Sequence, residues 1–167
     1  DRRLTARWVE GAPALGAHPG RAFCGAAKGD VAAVKGYYRF IDGPDDGAVT
    51  MQAMLAPHRQ RTLQRMMAQS LVLCIQDGTD LNYTNLAQCE GLGSLGTNQT
   101  GARSAGLHLH STLAVTAEGL PLGVLDALCQ APTARAGHED RLSRQLPIEE
   151  TKTFSWIQGL RQCEQAA

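Results

Sequence analysis

The sequence predicts an α+β fold, and three observations lead to that prediction. Apolar residues recur at helical spacing in the front of the chain, and near residue 70 they change to the continuous runs and alternation typical of strands. Further along, a short turn signal joins two alternating segments, which is the pattern of a hairpin. Because strands and helices do not alternate along the chain, we expect a mixed sheet whose first three strands are antiparallel, followed by a helix.

Three helices are expected in the front part of the chain. The first is expected to end early, because Gly11 and Pro13 both disfavour the interior of a helix. The second spans 30–41, where Asp30 is placed to act as the N-cap, and the third spans 50 to about 69. A loop rich in Gly, Pro and Asp separates the second helix from the third.

The back part of the chain is expected to hold the sheet. An apolar run predicts a buried strand, and an Ala-Glu-Gly turn predicts a hairpin between the next two strands. In chain order, the predicted elements are a strand at 70–76, a Gly-rich loop at 84–106, strands at 107–116 and 120–128, a polar loop at 130–146, and a helix at 147 to about 165.

Composition limits the classes of protein to which the chain can belong. The 167 residues suffice for one ordinary domain or two small ones, and the formal net charge of zero conceals an asymmetry. Residues 1–66 carry ten Lys or Arg against six Asp or Glu, and the remaining residues carry six against ten. A basic front half favours a polyanionic partner and an acidic back half suits a metal ion, although chance scatter also accounts for so small an imbalance.

Cysteine usage and hydropathy indicate the compartment. The five cysteines are odd in number and form no Cys-x-x-Cys pair, which argues against both a disulfide framework and a zinc finger. No apolar stretch reaches about 18 residues, and no signal peptide is recognisable. These features predict a protein of a reducing cytoplasm that has no membrane partner.

Three residues of the predicted sheet are candidates on their own chemistry. Asp77 follows the strand at 70–76, where a carboxylate is well placed to hold a metal ion, although most such residues form turns or cap helices. His108 and His110 are two positions apart on one strand, so their rings share a face and could form half of a metal site. No third ligand is identifiable beside the two histidines, which favours a structural role for them.

Three sequence motifs, which occur in this order along the chain, resemble those of a known family. They are Gly36-Tyr-Tyr-Arg-Phe-Ile41, then Leu73-Cys-Ile-Gln-Asp-Gly-Thr-Asp-Leu-Asn-Tyr83, and then Leu107-His-Leu-His-Ser-Thr-Leu-Ala-Val115 with Pro147-Ile-Glu-Glu-Thr-Lys-Thr-Phe-Ser-Trp156. Together they resemble the bacterial cut-and-paste DDE transposases of the insertion-sequence-four group, over essentially the whole chain.

The resemblance implies two domains and a metal-dependent reaction. Residues 1–66 would be a small helical domain that binds transposon ends, and residues 67–167 would be the first half of an RNase H-like mixed α/β domain, with three antiparallel strands plus a helix. Asp77 would be catalytic, as the first of three acids that hold two Mg²⁺ or Mn²⁺ ions for DNA cleavage and strand transfer. Asp80 is not an acid ligand in the family and is expected to be a solvated loop residue.

The other two acidic residues of the family's site lie in sequence motifs that do not occur in this sequence. We therefore expect metal binding only in a complete enzyme, and we do not expect this chain alone to cut DNA. A different class of function stays open, that of a non-catalytic DNA-binding regulator or an inactive transposase remnant. Such a protein would occupy transposon ends or form a complex with a full-length transposase. The incomplete sheet would expose an edge, so homo-oligomers are also expected.

The resemblance also implies which residues contact double-stranded DNA. On the helix at 30–41, Tyr37 and Phe40 share a face and are expected in the core, whereas Tyr38 and Arg39 point elsewhere, toward DNA. Without the family, a core aromatic and a surface arginine would be the preferred interpretation. The further candidate phosphate contacts are Lys28, Lys35, Arg59, Arg61 and Arg65. The resemblance therefore implies a protein of the bacterial cytoplasm that is associated with the nucleoid.

Overall fold

The structure is a computed structural model, and it describes residues 2–44, 46–86, 88–97, 101–132, 147–151 and 153–166. The chain divides into two compact units, Asp1–Pro57 and His58–Ala167. The boundary falls inside a helix, nine residues before the division at 66 that the sequence suggested. Each unit has its own hydrophobic contacts and is described separately. Within the described residues, no helix is long and apolar enough to cross a membrane.

The first unit is helical. It contains α1 (Arg2–Ala17), the short α2 (Phe23–Ala26), α3 (Val31–Ile41) and the beginning of α4 (Met51–Met66). The predicted N-cap is confirmed, because the carboxylate of Asp30 accepts hydrogen bonds from the backbone N–H groups of Ala32 and Ala33 at 2.9 and 3.0 Å.

Helix α1 does not end at Gly11 and Pro13, so the prediction of an early end was wrong. The helix continues to Ala17 with Pro13 inside it. Gly11 is buried, and a Cβ there would be in ordinary van der Waals contact with Phe23 and Tyr37, at 3.6 and 3.7 Å, so α1 packs closely on both rings. This packing offsets the roughly 3 kcal/mol that an interior proline costs a helix.

Aromatic rings form the core of the helical unit. Phe23 stacks on Tyr37 with ring centroids 3.8 Å apart, and Trp8 stacks on Phe40 at 5.7 Å. Phe23 and Phe40 are both more than nine-tenths buried. The inward placement of Tyr37 and Phe40 on α3 confirms the helical periodicity read from the sequence.

The second unit combines an antiparallel sheet with helices, which confirms the α+β class. Its strands are β1 (Val72–Asn82), β2 (Gly93–Thr97), β3 (Arg103–Thr116) and β4 (Pro121–Gln130). Strand β3 is central, because it pairs with β1 on one side and with β4 and β2 on the other. The predicted hairpin is confirmed as β3 and β4. A short 3-10 turn (Ile148–Glu150) precedes α5 (Phe154–Ala166), so the final helix begins later than predicted.

Strand β2 lies in the segment 84–106, which was predicted to be a loop throughout. Its sequence, Gly-Ser-Leu-Gly-Thr, contains one large apolar residue and therefore has no strand pattern. The glycines of this region are explained by the lack of space for a side chain. A Cβ on Gly106 of β3 would overlap the backbone of Leu81, and a Cβ on Gly93 would overlap Pro132, so both positions admit close backbone approach.

Candidate functional site

Three of the candidate DNA-contacting residues lie together on one face of α3. Lys35, Tyr38 and Arg39 are spaced at i, i+3 and i+4, and all three are exposed. We call these three residues the α3 basic face. The stacked rings of Tyr37 and Phe40 fix the opposite side of the helix in the core, so the basic face is presented by a rigid element.

The two charged residues of the α3 basic face have no polar partner among the described residues. Arg39 and Lys35 make none of the described hydrogen bonds or ion pairs, so their cationic groups are available to an anion. Tyr38 is 51% exposed, and its hydroxyl lies 3.6 Å from the Cys24 thiol. That hydrogen bond raises the pKa of Tyr38, so its hydroxyl stays protonated and can donate a hydrogen bond.

Lys28 lies in the turn before α3 in an unusual backbone conformation. Its φ of 51° is in the left-handed region, and Gly29 follows with φ 85°. A non-glycine residue there costs of order 1 kcal/mol, and such strain concentrates at functional positions. Lys28 also lines a cavity of about 680 Å³ between the helices of the first unit. Arg7 and His18 line the same cavity together with Glu10 and Asp30, so its wall carries both basic and acidic groups.

Two of the other candidate arginines have structural partners in the second unit. Arg65 of α4 donates to the backbone carbonyl of Leu122 on β4 at 2.8 Å. Arg59 donates to Oε1 of Gln162 on α5 at 2.9 Å. These contacts direct one N–H group of each guanidinium toward an acceptor of the protein itself. Arg61 is exposed, and its guanidinium donates to Oε1 of its helical neighbour Gln64 at 3.1 Å.

Asp77 is exposed in the middle of a strand, and not at its end as predicted. Strand β1 continues five residues further, to Asn82, and Asp77 pairs in register with Ser111 of β3. The polar residues that follow Asp77 have the composition of a turn, but in the structure they complete the β1 ladder instead. The side chain of Asp77 lies on the same face of β1 as the exposed Leu73 and Ile75.

The described residues do not form a magnesium centre around Asp77. No three His, Cys, Asp or Glu residues within the described ranges come close enough together to hold a metal ion. One carboxylate is too few for Mg²⁺, which takes several oxygen ligands in octahedral geometry. Asp77 can therefore supply one ligand, and no catalytic step follows from it alone.

A second polar cluster lies on the opposite face of β1. Asp80, which was predicted to be a solvated loop residue, is in the strand, and its carboxylate lies 2.7 Å from Nδ1 of His108 on β3. Gln76 lies on the same face and places its Oε1 2.8 Å from Nε2 of His110. The shared face of the two histidines was predicted correctly, whereas Gln76 and Asp80 were missed as their partners.

His110 is the most deeply buried ionisable group of this cluster. Its exposed fraction is 1%, and Trp156 of α5 covers it edge-on with ring centroids 4.9 Å apart. Burial lowers the pKa of His110, and the nearby His108 lowers it further, against smaller opposing effects of Asp77 and Asp126. The ring is therefore neutral at pH 7, with one nitrogen protonated and the other carrying a lone pair.

The sequence alone could not identify the partners of these histidines. Their side-chain alternation was visible in the sequence, but the β1–β3 register that brings Gln76 and Asp80 beside them is a long-range property. Asp126 of β4 pairs in register with Thr112 and is half-buried.

No known family model matches the chain. The function of the chain is therefore inferred from the sequence motifs and from where the structure places their residues.

Proposed function

We propose that this chain binds double-stranded DNA at transposon ends, as the front portion of a cut-and-paste DDE transposase. The observation that carries the proposal is the α3 basic face. The first family-like motif, residues 36–41, forms most of α3, and its two polar exposed residues, Tyr38 and Arg39, lie beside Lys35.

The chemistry of the α3 basic face suits a DNA backbone. A guanidinium group binds phosphate oxygens through two parallel hydrogen bonds, and an ammonium group adds a flexible positive charge. A tyrosine hydroxyl donates to phosphate or sugar oxygens, which positions a protein on the duplex without reading its sequence. An exposed face on one rigid helix allows all three groups to contact a single stretch of backbone.

The assignment of the second unit to an RNase H-like catalytic domain is part of the same proposal. It is supported by an antiparallel sheet with an exposed aspartate on β1 at the position that the second family-like motif supplies. In that assignment Asp77 is one ligand of a Mg²⁺ or Mn²⁺ centre that other carboxylates complete. When bound, such ions activate the attacking oxygen and stabilise the leaving oxygen.

Fluorescence anisotropy tests the DNA-binding proposal. The probe is a labelled duplex that carries the inverted repeat flanking the gene, and the competitor is a scrambled duplex of the same composition. We expect preference for the inverted repeat, and we expect Arg39→Ala to weaken binding about fivefold or more at physiological salt. Loss of one phosphate contact should also make the salt dependence shallower by about one unit of slope.

Arg161→Ala provides the matched control, because Arg161 is an exposed arginine of α5 outside the candidate face. Its binding should equal that of the wild type. Equal affinity for both duplexes would contradict end recognition, and an unchanged affinity of Arg39→Ala would remove the α3 basic face from the site.

A nicking assay separates the catalytic assignment from the regulatory alternative. The purified chain is incubated with supercoiled plasmid carrying the inverted repeat, in 10 mM Mg²⁺ as a roughly saturating concentration for an oxygen-ligand site. Specific binding without nicking is expected. Mg²⁺-dependent nicking that Asp77→Ala abolishes would contradict the expectation that this chain alone is inactive.

A further inference from the structure

The two histidines of β3 are arranged in a way that hydrogen bonding within a core does not by itself explain. His108 and His110 lie two residues apart on one strand face, and each uses one ring nitrogen to contact a residue of β1. Nδ1 of His108 contacts Asp80, and Nε2 of His110 contacts Gln76. The second nitrogen of each ring is therefore the one that faces away from these partners.

The partners determine which nitrogens carry protons. A carboxylate only accepts hydrogen bonds, so Nδ1 of a neutral His108 must be the protonated nitrogen and Nε2 must carry the lone pair. The Gln76 contact is made by the amide oxygen, so Nε2 of His110 donates and its Nδ1 carries the lone pair. That Nδ1 atom is buried and has no hydrogen-bond partner within the described part of the chain.

The two lone-pair nitrogens both lie close to Gly78 of β1. A Cβ on Gly78 would lie 3.3 Å from Nε2 of His108 and 3.6 Å from Nδ1 of His110. The backbone of Gly78 is not in the left-handed region, so its conformation does not require glycine. What the glycine provides is room between the two imidazole rings.

We propose that Nε2 of His108 and Nδ1 of His110 bind one divalent transition-metal ion of the Zn²⁺ and Cu²⁺ class above Gly78. Imidazole nitrogens suit these ions, whereas Mg²⁺ requires oxygen ligands. Metal-binding histidines commonly hold their other ring nitrogen on a carboxylate or a carbonyl oxygen, as Asp80 and Gln76 do here. In such a site each ligand nitrogen lies about 2.1 Å from the ion.

Water completes the coordination, because no third His, Cys, Asp or Glu within the described residues joins this pair. Because it has two protein ligands, the site should bind its ion more weakly than a structural zinc site with four. The site is distinct from the proposed Mg²⁺ ligand Asp77, which projects from the other face of β1. It therefore does not depend on the proposed transposase activity.

Trp156 provides a local probe of the site, because its ring contacts that of His110. The protein has two tryptophans, so Trp8→Phe leaves Trp156 as the single emitter. We expect CuCl₂ to quench its fluorescence saturably with a stoichiometry of one, and ZnCl₂ to compete. Gly78→Ala fills the space between the rings and should weaken Cu²⁺ binding tenfold or more, while both histidines stay in place.

Nitrogen NMR tests the proposed ligand atoms directly. On addition of Zn²⁺, the ¹⁵N chemical shifts of His108 Nε2 and His110 Nδ1 should move away from those typical of unprotonated nitrogens. The other nitrogen of each ring should stay protonated. His18→Ala is the matched control, since His18 belongs to the helical unit, and it should leave binding unchanged.

Three outcomes would overturn the proposal. They are absence of saturable binding below millimolar Cu²⁺, unchanged binding in Gly78→Ala, and ¹⁵N changes confined to other histidines. If Gly78→Ala does not fold, His108→Phe replaces it, because phenylalanine keeps a ring at this position and removes the ligand nitrogen. Unchanged binding in folded His108→Phe would equally reject the site.

Discussion

Burial beside a second thiol changes the chemistry of one residue, Cys163. It lies on α5, and burial, together with a hydrogen bond to Cys74 of β1, raises its pKa to about 11. The thiolate is the reactive form of cysteine, so at pH 8 only about one such thiol in a thousand is able to attack an electrophile. Below the pKa, the ionised fraction grows about tenfold with each unit by which the pH rises.

We expect Cys163 to react with iodoacetamide at pH 8 at least about tenfold more slowly than the exposed Cys89 and Cys129. Mass spectrometry of the labelled peptides over time gives the three rates. The rate at Cys163 should rise about tenfold per unit from pH 8 to 10, because its pKa lies above this range. In urea, the difference in rate between Cys163 and the two exposed cysteines should disappear. Similar rates in native buffer would contradict the half-buried, hydrogen-bonded thiol.

Single residues differ in how well the sequence predicts them. The inward Phe40 and the outward Tyr38 follow from helical periodicity, which is local and was predicted correctly. The partners of Arg59 and Arg65 lie on residues 103 and 57 positions away, so nothing in the local pattern indicates that these arginines are held in place. Whether an arginine is available for DNA depends on such distant contacts.

At the scale of elements, glycines inside helices have opposite roles in the two units. A Cβ added to Gly36 of α3 would have no atom within 4 Å among the described residues, apart from the nearby backbone of the helix itself, so a methyl group fits freely there. Gly159 of α5 is buried against the sheet, where a Cβ would meet Gln76 and would lie 3.2 Å from Oγ1 of Thr112. Gln76 cannot move aside without disturbing its hydrogen bond with His110.

The same substitution should therefore change stability in opposite directions at these two positions. Gly36→Ala should raise the free energy of unfolding by about 0.5–1 kcal/mol, because alanine loses less backbone entropy in a helix. Gly159→Ala gains the same helix propensity but should lower stability by about 1–3 kcal/mol through overpacking and the disturbed hydrogen bond. Urea unfolding, followed by circular dichroism, measures both. Stabilisation by both substitutions would contradict the close α5–sheet packing.

Elements were predictable where a local pattern dominated. The hairpin of β3 and β4 and the N-cap of α3 have strong local signals, and both were correct. Helix α1 and strand β2 failed for a common reason: a glycine or proline that locally disfavours the element is compensated by a neighbour in space. Sequence periodicity contains no information about that neighbour.

For the whole molecule, the sheet of the second unit has two unlike faces. Helix α5 packs against β1, β3 and β4, and residues such as Ala114 and Leu125 are almost fully buried. The other face of β1 exposes Leu73 and Ile75 at 45% and 50%. Strand β1 also pairs only with β3 within the described residues, so its outer edge presents unpaired backbone groups.

An exposed apolar face next to an open edge should make the chain self-associate. In sedimentation velocity between about 1 and 100 µM, we expect the average sedimentation coefficient to rise with concentration, because association buries apolar area and pairs the edge. Ile75→Lys places a charge in the middle of this face and should keep the chain monomeric over the same range. Leu160→Lys alters an equally exposed leucine on α5 and should behave as the wild type. A wild-type chain that stays monomeric at the highest concentration would show that this face and edge do not mediate association.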